Sequence, residues 1–450
     1  MSERTISQEE LFVVPRSDGT RLLYAPLRRS VAVVNEAASA AVATFLEKGT
    51  EGLSAPQADC IGKLRAAGLL GEEAPAHPVF PANYGFCPHE VTLFLTSRCN
   101  LRCRYCYAEA GYKAVDMPWE VARAAIDLVA TNAGLLGASD FALGFHGGGE
   151  PTVAWPLLTR CVDYAREQAE RRGLEAQVFC ATNGLLNAAQ REYIVQHFTT
   201  VNVSLDGPAD IQDFYRPRKD GGGSFDAVSE TLRYFDEHGF HYGVRATITS
   251  ATVTRMVEIV SRLRAEFKIE ELQMEPVWQC GRCLTTGERP PDDRDFIEHF
   301  NRAVRRGREL GVQVSYSGAR LGVLTSKFCA ASGDGFNVLP EGNVTSCYEV
   351  TEATDPKAAL FHYGRFDPPT GAFVLDRDKI AALQQLSVEH LPFCQDCFCR
   401  WHCAGDCLSK AFDRSGTRAH QGTSRCNLNR SLMQTQLEEL VAERSSAPLV

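Results

Sequence analysis

No stretch of this chain approaches the roughly 18 consecutive apolar residues that a membrane-spanning helix needs. Its first ten residues, MSERTISQEE, lack the basic start and apolar core of an export signal. A cationic surplus is missing too. The 47 lysines and arginines face 56 aspartates and glutamates, a net charge of −9, which removes any general attraction to nucleic acid. These absences predict a cytoplasmic protein with neither a membrane nor a nucleic acid as partner. What is plentiful is cysteine: 17 in 450 residues, in clusters. Without an export signal, clustered cysteines favour metal or redox sites over disulfides. The length suffices for two or three domains, and 44% hydrophobic residues is ordinary for a globular core.

The densest cluster is Cys99, Cys103 and Cys106, spaced C-x3-C-x2-C straight after the apolar run 91–95. A [4Fe–4S] cube normally takes four thiolates. Three would leave one iron open to a small molecule, as open positions do in catalytic metal sites. A zinc knuckle or buried free thiols are the plainer readings of the same residues.

Three regions follow from the pattern of the chain. In residues 1–78, short strands at 12–14, 22–25 and 30–34 surround the turn Ser17, Asp18, Gly19. Asn35 caps a helix carrying Val42, Phe45 and Leu46, and a second helix over 55–67 stops at Gly68. Pro75, Pro78, Pro81 and Pro88 mark a linker. Residues 79–315 alternate strands (91–95, 141–145, 178–181, 201–205, 243–248, 272–277) with helices (119–132, 155–171, 188–197, 225–238, 252–266, 293–310). Six β-α units predict an α/β fold with a parallel sheet and ligands at the strands' carboxyl ends. Residues 316–450 hold a second cysteine array: Cys329, Cys347, Cys394, Cys397, Cys403, Cys407 and Cys426, with Gly342 between the first two.

The C-x3-C-x2-C motif resembles that of radical S-adenosylmethionine enzymes. In those enzymes the open iron chelates the amino and carboxylate groups of S-adenosylmethionine, and an electron cleaves the sulfonium to methionine and a 5′-deoxyadenosyl radical. The resemblance implies a partial (β/α)6, TIM-like barrel. It implies that Gly148, Gly149 and Glu150, in a G-G-E-P turn, hold the cosubstrate's amino group. Asn183, Ser204 and Arg216 match residues that contact S-adenosylmethionine in the subgroup containing the anaerobic sulfatase maturases, the arginine pairing with its carboxylate. Tyr105 would border the adenine. Turn formation is the plain alternative for Asn183 and Asp206, and a surface salt bridge for Arg216.

The C-terminal array resembles the SPASM auxiliary-cluster domain of peptide-modifying radical enzymes. By that resemblance one auxiliary cluster uses Cys394, Cys397, Cys403 and Cys426, and another Cys329, Cys347 and Cys407. Relatives often add a ligand from just upstream of the first cysteine, yet 316–328 contain none. Either an iron is open, or Cys280 or Cys283 reaches it; that C-x2-C pair alternatively faces the substrate. Glu275 and Cys283 are the candidate catalytic residues. Cys399 fits no slot, and Cys60, Cys87, Cys161 and Cys180 read as ordinary cysteines. His89, His146, His402 and His420 share no metal spacing, and His146 reads as a packed residue.

The first region looks like a winged-helix domain that holds a precursor-peptide leader as an added strand. Together these resemblances imply a maturase of ribosomally made peptides (RiPPs) that abstracts a hydrogen to install a crosslink, ring or epimer. It would be served by an electron donor such as a flavodoxin or ferredoxin. A formylglycine-generating sulfatase maturase and a non-enzymatic iron–sulfur carrier or scaffold are the alternatives.

Overall fold

In the computed structural model, residues 10–71, 75–78, 85–415 and 421–446 are described. The first nine residues, Pro81 and His420 lie outside them. The chain forms two compact units, one drawn from 1–82, 318–329 and 386–450, the other from 83–317 and 330–385. The C-terminal region of the sequence therefore contributes to both, and the N-terminal region shares a unit with most of the cysteine-rich end.

In the first unit, β1 (Phe12–Pro15), β2 (Arg21–Ala25) and β3 (Ser30–Val34) form an antiparallel sheet in the order β1-β2-β3. The turn closes as its residues require. Thr20 N–H donates to Asp18 Oδ1 at 2.9 Å, and Gly19 takes φ +83°. β2 is central and buried, whereas β3 is an edge whose Val33 is 40% exposed. Asn35 accepts from Ala38 N–H at 2.9 Å and starts α1 (Glu36–Lys48). Then α2 (Ala55–Ala66) ends just ahead of Gly68, φ +73°. Leu11, Leu23, Val42, Ile61 and Leu64 build the core.

The cysteine-rich end is tied to this sheet. Trp401 Nε1–H donates to Glu10 Oε2 at 3.0 Å, and Arg400 pairs with Glu10 Oε1 at 3.2 Å. Tyr24 Oη meets His402 Nε2, whose other nitrogen lies 2.8 Å from Val323 O. The helix Cys426–Ser446 packs beside β3.

The second unit holds an 11-stranded sheet. Its parallel part comprises β4 (Glu90–Leu93), β5 (Asp140–Phe145), β6 (Glu175–Thr182), β7 (Thr200–Ser204), β8 (Tyr242–Ile248), β9 (Glu271–Pro276) and β10 (Gln313–Ser315), adjacent in chain order. Beyond β4 follow β11 (Asn337–Val338), β12 (Asn343–Thr345), β13 (His362–Asp367) and β14 (Ala372–Leu375). β11 pairs parallel to β4, and the remaining strands pair antiparallel. Gly342, at φ +87°, turns β11 into β12; a Cβ there would lie 3.0 Å from Phe366 Cβ.

The crossovers are α3 (Trp119–Leu136), α4 (Trp155–Arg172), α5 (Ala188–His197), α6 (Ala209–Tyr215), α7 (Phe225–Glu237), α8 (Met256–Glu266), α9 (Cys283–Thr286) and α10 (Asp293–Leu310). Every strand and helix expected in this region is present. The short α6 and the three-residue β10 are additions, too brief to show a period of their own.

Side-chain alternation divides the parallel strands into two faces. Val91, Leu93, Leu143, Phe145, Val201, Val203, Val244, Ala246, Leu272 and Met274 are buried on one. The other carries Thr92, Asn202, Ser204, Arg245, Thr247, Gln273 and Glu275. A parallel sheet usually buries apolar residues on both faces. A polar face on this one marks where ligands go, at the carboxyl ends of the strands.

Candidate active site

The loop 99–106 leaves β4 and is clamped from two sides. On one side it lies along residues 215–219. Arg102 N–H donates to Pro217 O at 2.8 Å, Arg104 N–H to Tyr215 O at 2.9 Å, and Lys219 N–H to Asn100 O at 2.9 Å. This seam carries Arg216 to the cysteine loop. On the other side stands the segment 280–288. Arg282 donates from Nη1 to Cys103 O (2.6 Å), from Nη2 to Ala110 O (2.9 Å) and from its N–H to Cys106 O (3.0 Å). Thr286 Oγ1 donates to Arg104 O at 2.7 Å. Gly281 has φ +50°, and a Cβ there would come within 2.5 Å of the carbonyl oxygens of Cys106 and Tyr107. Only glycine lets the two segments touch.

Cys99, Cys103 and Cys106 are free thiols on this clamped loop. Leu101 N–H points at Cys99 Sγ from 3.4 Å. Burial, with the Glu150 charge behind it, pushes the Cys99 thiol up to about 12. Burial pushes Cys103 up to about 11 against the Arg216 and Arg282 guanidiniums. Metal-bound thiols are fully deprotonated, so those two cations and the Leu101 N–H favour the ligating form. Three free thiols on one clamped loop, beside two guanidiniums, are the kind of donor set that three corners of a [4Fe–4S] cube take.

Gly147, Gly148, Gly149 and Glu150 follow β5. A Cβ on Gly149 would lie 2.2 Å from Arg98 O and 2.7 Å from Thr96 O, while Glu150 N–H donates to Arg98 O at 2.9 Å. The glycine turn is thus docked on the backbone leading into Cys99. Gly148 has more room, with Phe94 at 3.7 Å as the nearest neighbour of an added Cβ. Glu150 is 3% exposed. Its Oε1 accepts from Thr152 Oγ1 (2.8 Å), Thr152 N–H (3.2 Å) and Thr182 Oγ1 (2.7 Å), and its Oε2 from Asn183 N–H alone (2.8 Å). Burial raises its pKa against those bonds. Asn183 Nδ2 reaches back to Asn100 Oδ1 at 2.7 Å, so Asn183 joins Glu150 to the cysteine loop.

Arg216 is buried, with Nε 3.1 Å from Asp206 Oδ2. Asp206 is fully buried and also accepts from Thr247 N–H at 2.9 Å and from Tyr105 Oη. Burial disfavours the Arg216 charge, but Asp206, Tyr105 and Cys103 hold its pKa above the usual value. The guanidinium lies 5.3 Å from the Tyr105 ring centroid. Ser204 ends β7 on the polar face, in register with Arg245. The structure therefore brings together Cys99, Cys103, Cys106, Tyr105, Glu150, Asn183 and Arg216. It adds Asp206, Asn100, Gly281 and Arg282, which the sequence reading did not assign. Asp206 was visible there only as half of an Asp-Gly turn pair, and Arg282 only as a residue between two cysteines.

The candidate catalytic residues are fixed differently. Glu275 is buried and accepts from Gln273 Nε2 (2.7 Å), Ser317 N–H (2.8 Å) and Ser317 Oγ (3.0 Å), so it anchors the chain beyond β10. Cys283 is buried at the start of α9, with its thiol raised by burial and, among further causes, by the nearby Cys106. The Cys280–Cys283 pair stands on the segment docked against the radical-type cysteine loop. His146 stacks on Tyr348 with centroids 4.5 Å apart, the packed role expected of it.

In the first unit, Cys394, Cys397, Cys403 and Cys426 line one pocket, joined by Cys399. Thr423 N–H points at Cys426 Sγ (3.3 Å) and Asn429 Nδ2 at Cys403 Sγ (3.3 Å). Buried Asp406 follows Gly405, which lines the pocket. Burial alone would raise its pKa, yet Arg425, with Nε at 3.1 Å, and the Thr423 hydroxyl keep it low. These thiols and donors fit a second cluster. Cys407 and the exposed Cys329 belong to the same unit, and buried Cys347, just beyond β12, to the other. Cys161 and Cys180 are buried in the second unit, as ordinary core cysteines are.

Residues 93–257 match the family model of the radical SAM superfamily. Over 357 residues the chain is 23% identical to the serine-type anaerobic sulfatase-maturating enzyme of Klebsiella aerogenes, covering 76% of this chain and 85% of that one. Over 288 residues it is 23% identical to the antilisterial bacteriocin subtilosin biosynthesis protein AlbA of Bacillus subtilis, covering 62% and 59%. Its fold is similar to the crystal structure of Streptococcus suis SuiB bound to S-adenosylmethionine. The TM-score is 0.52 and the identity 16%, over 94% of this chain and 100% of that one. The clamped cysteine triad and the Glu150 and Arg216 cradle all lie within the matched segment, so residues 93–257 are the radical SAM domain of an enzyme.

Proposed function

We propose that this enzyme is a peptide maturase that removes a hydrogen from a residue of a ribosomally made precursor and installs a crosslink, ring or epimer. When bound, a cube on Cys99, Cys103 and Cys106 supplies the electron that turns S-adenosylmethionine into the hydrogen-abstracting agent. The chain's own groups set the pose. Glu150 Oε2 takes a single N–H donor and has a lone pair left for an ammonium. Arg216 stands with Nε 3.1 Å from Asp206 in an ion pair, and among the described residues its Nη donors make no hydrogen bond, which leaves them for a carboxylate. The barrel-like curl of the parallel strands, the SPASM identity of the C-terminal cysteines and the winged-helix identity of the first 78 residues are parts of the same proposal. Two auxiliary clusters would accept or relay an electron, exchanged with a flavodoxin- or ferredoxin-type donor in the cytoplasm.

The observation that carries the reading is the edge position of β3, where residues 30–32 are half-buried and Val33 is exposed, in the unit that also holds the cysteine pocket. An extended leader can pair with such an edge. The Bacillus relative, a bacteriocin biosynthesis protein, supports a peptide substrate. The Klebsiella relative supports a second reading, a sulfatase maturase, but a short internal motif gives a leader-binding edge no work.

The edge is tested without truncation, because Glu10, Tyr24 and β3 also support the cysteine-rich end. Val33→Asp places a charge on the strand that the leader would cover. Coexpression with the small peptide encoded beside the gene, followed by mass spectrometry, should give a modified peptide with the wild type and little with the variant. Both proteins should hold equal iron. Full modification by Val33→Asp would remove the edge from the mechanism.

A further inference from the structure

Arg245 is exposed, yet it stands in the middle of β8, inside a run of seven parallel strands. Val244, Ala246 and Ile248 turn to the buried apolar face, so Arg245 and Thr247 occupy the polar one. Gly243 confirms the facing: a Cβ on it would lie 2.5 Å from Asn202 Oδ1, its register partner on the same face. One step farther along, Arg245 is flanked by Ser204 on β7 and Gln273 on β9, at the end of the sheet where the cysteine loop lies.

Three strand steps separate β8 from β5, about 14 Å on a flat sheet. The cysteine loop nevertheless meets this face two residues beyond Arg245: Thr247 N–H donates to Asp206 Oδ1 at 2.9 Å, and Tyr105 Oη donates to the other oxygen of the same carboxylate. The Arg245 charge also acts on His146, directly beyond β5, where burial first, and Arg245 after it, hold the imidazole down at about 4.

Among the described residues the Arg245 side chain makes no hydrogen bond or ion pair. Glu275, a carboxylate on the same face, accepts from Gln273 and Ser317, and Asp206 from Thr247 and Tyr105. A guanidinium presents five donors in a rigid fork that matches a carboxylate.

We propose that Arg245 is a specificity residue that pairs with an acidic side chain of the peptide, next to the residue that loses its hydrogen. The inference rests on the peptide-maturase reading and names the chemistry its substrate carries. The other carboxylate within the reaction is that of S-adenosylmethionine, already provided for by Arg216.

The test uses synthetic dodecapeptide pools, each with one central position fixed as Asp, Glu, Asn, Gln, Lys or Arg and the rest randomised. Pools are captured on the immobilised, cluster-loaded enzyme and quantified by mass spectrometry, and S-adenosylmethionine affinity is measured in parallel. The wild type should retain Asp and Glu pools about ten- to hundredfold better than Asn and Gln pools, the ratio expected of a hydrogen-bonded charge pair. Arg245→Gln should level that preference while binding S-adenosylmethionine as the wild type does. Arg245→Glu should transfer the preference to Lys and Arg pools. An acidic preference that survives in Arg245→Gln overturns the proposal. So does a loss of S-adenosylmethionine affinity, which would hand Arg245 to the cosubstrate's carboxylate. Wild-type enzyme that retains no pool overturns the peptide reading itself, and the inference with it.

Discussion

Replacing Asp206 by asparagine changes one charge at the hinge of the cosubstrate cradle and leaves its shape nearly intact. Asp206 is 0% exposed and Arg216 9%, with Nε and Oδ2 3.1 Å apart. At that distance and an effective dielectric of about 20, their attraction is about 5 kcal/mol. Removing one partner of a buried pair typically costs about 3–5 kcal/mol, because the other charge is left without compensation. Asparagine keeps the Oδ1 acceptor that Thr247 N–H uses, so the loss falls on the Oδ2 side, where Arg216 and the Tyr105 hydroxyl meet the carboxylate. Arg216→Met strands Asp206 in the same way. The double variant strands neither, so its cost should fall short of the sum of the singles by about 3–5 kcal/mol. Denaturant midpoints of the four proteins give this cycle, provided the slopes agree. S-adenosylmethionine binding should be weakened in all three variants, since the guanidinium is either absent or no longer aimed. A coupling below about 0.5 kcal/mol would refute the reasoning: the two residues would be independent and Asp206 would not orient Arg216.

Three further outcomes are expected. Alanine at Cys99, Cys103 and Cys106 together should remove about four irons per chain and all cleavage of S-adenosylmethionine, measured by iron assay and 5′-deoxyadenosine release. Cys394→Ala should abolish one auxiliary signal in the electron paramagnetic resonance spectrum, whereas Cys399→Ala, at the fifth thiol of that pocket, should keep it. His146, held near 4 in the fold, is neutral where an unfolded histidine charges, so the unfolded chain binds more protons as pH falls from about 6.5 toward 4. Stability should drop over that window, and His146→Phe should flatten the drop in denaturant midpoints measured between pH 7 and 5.

The α/β alternation was legible because each parallel strand buries an apolar face and each crossover exceeds ten residues, so strand and helix periods stand apart. Asn35 was legible as a cap and Asp18, Gly19 as a turn, because those residues act locally. Cysteine spacing exposed the radical-type loop and four of the thiols in the second pocket. Cys399 escaped because it lines that pocket from outside the spacing pattern. The two-unit partition escaped as well. It depends on Glu10 meeting Trp401 and Tyr24 meeting His402, contacts separated by hundreds of residues that no window along the chain can show.

The same limit explains why glycine was read correctly in kind and incompletely in purpose. The resemblance assigns Gly149 to the cosubstrate's amino group. Its missing Cβ also admits the carbonyls of Thr96 and Arg98, as that of Gly281 admits those of Cys106 and Tyr107. Both glycines press protein backbone onto the cysteine loop, one before Cys99 and one after Cys106. Carbonyls gathered there would disfavour thiolates, and the cations answer them: Arg282 caps Cys103 O and Ala110 O, while Arg216 stands by Cys103. A loop gripped this tightly places its three sulfurs before any iron arrives. The cost of ordering the site then falls on folding, and cosubstrate binding can be spent on the pose of the reacting groups.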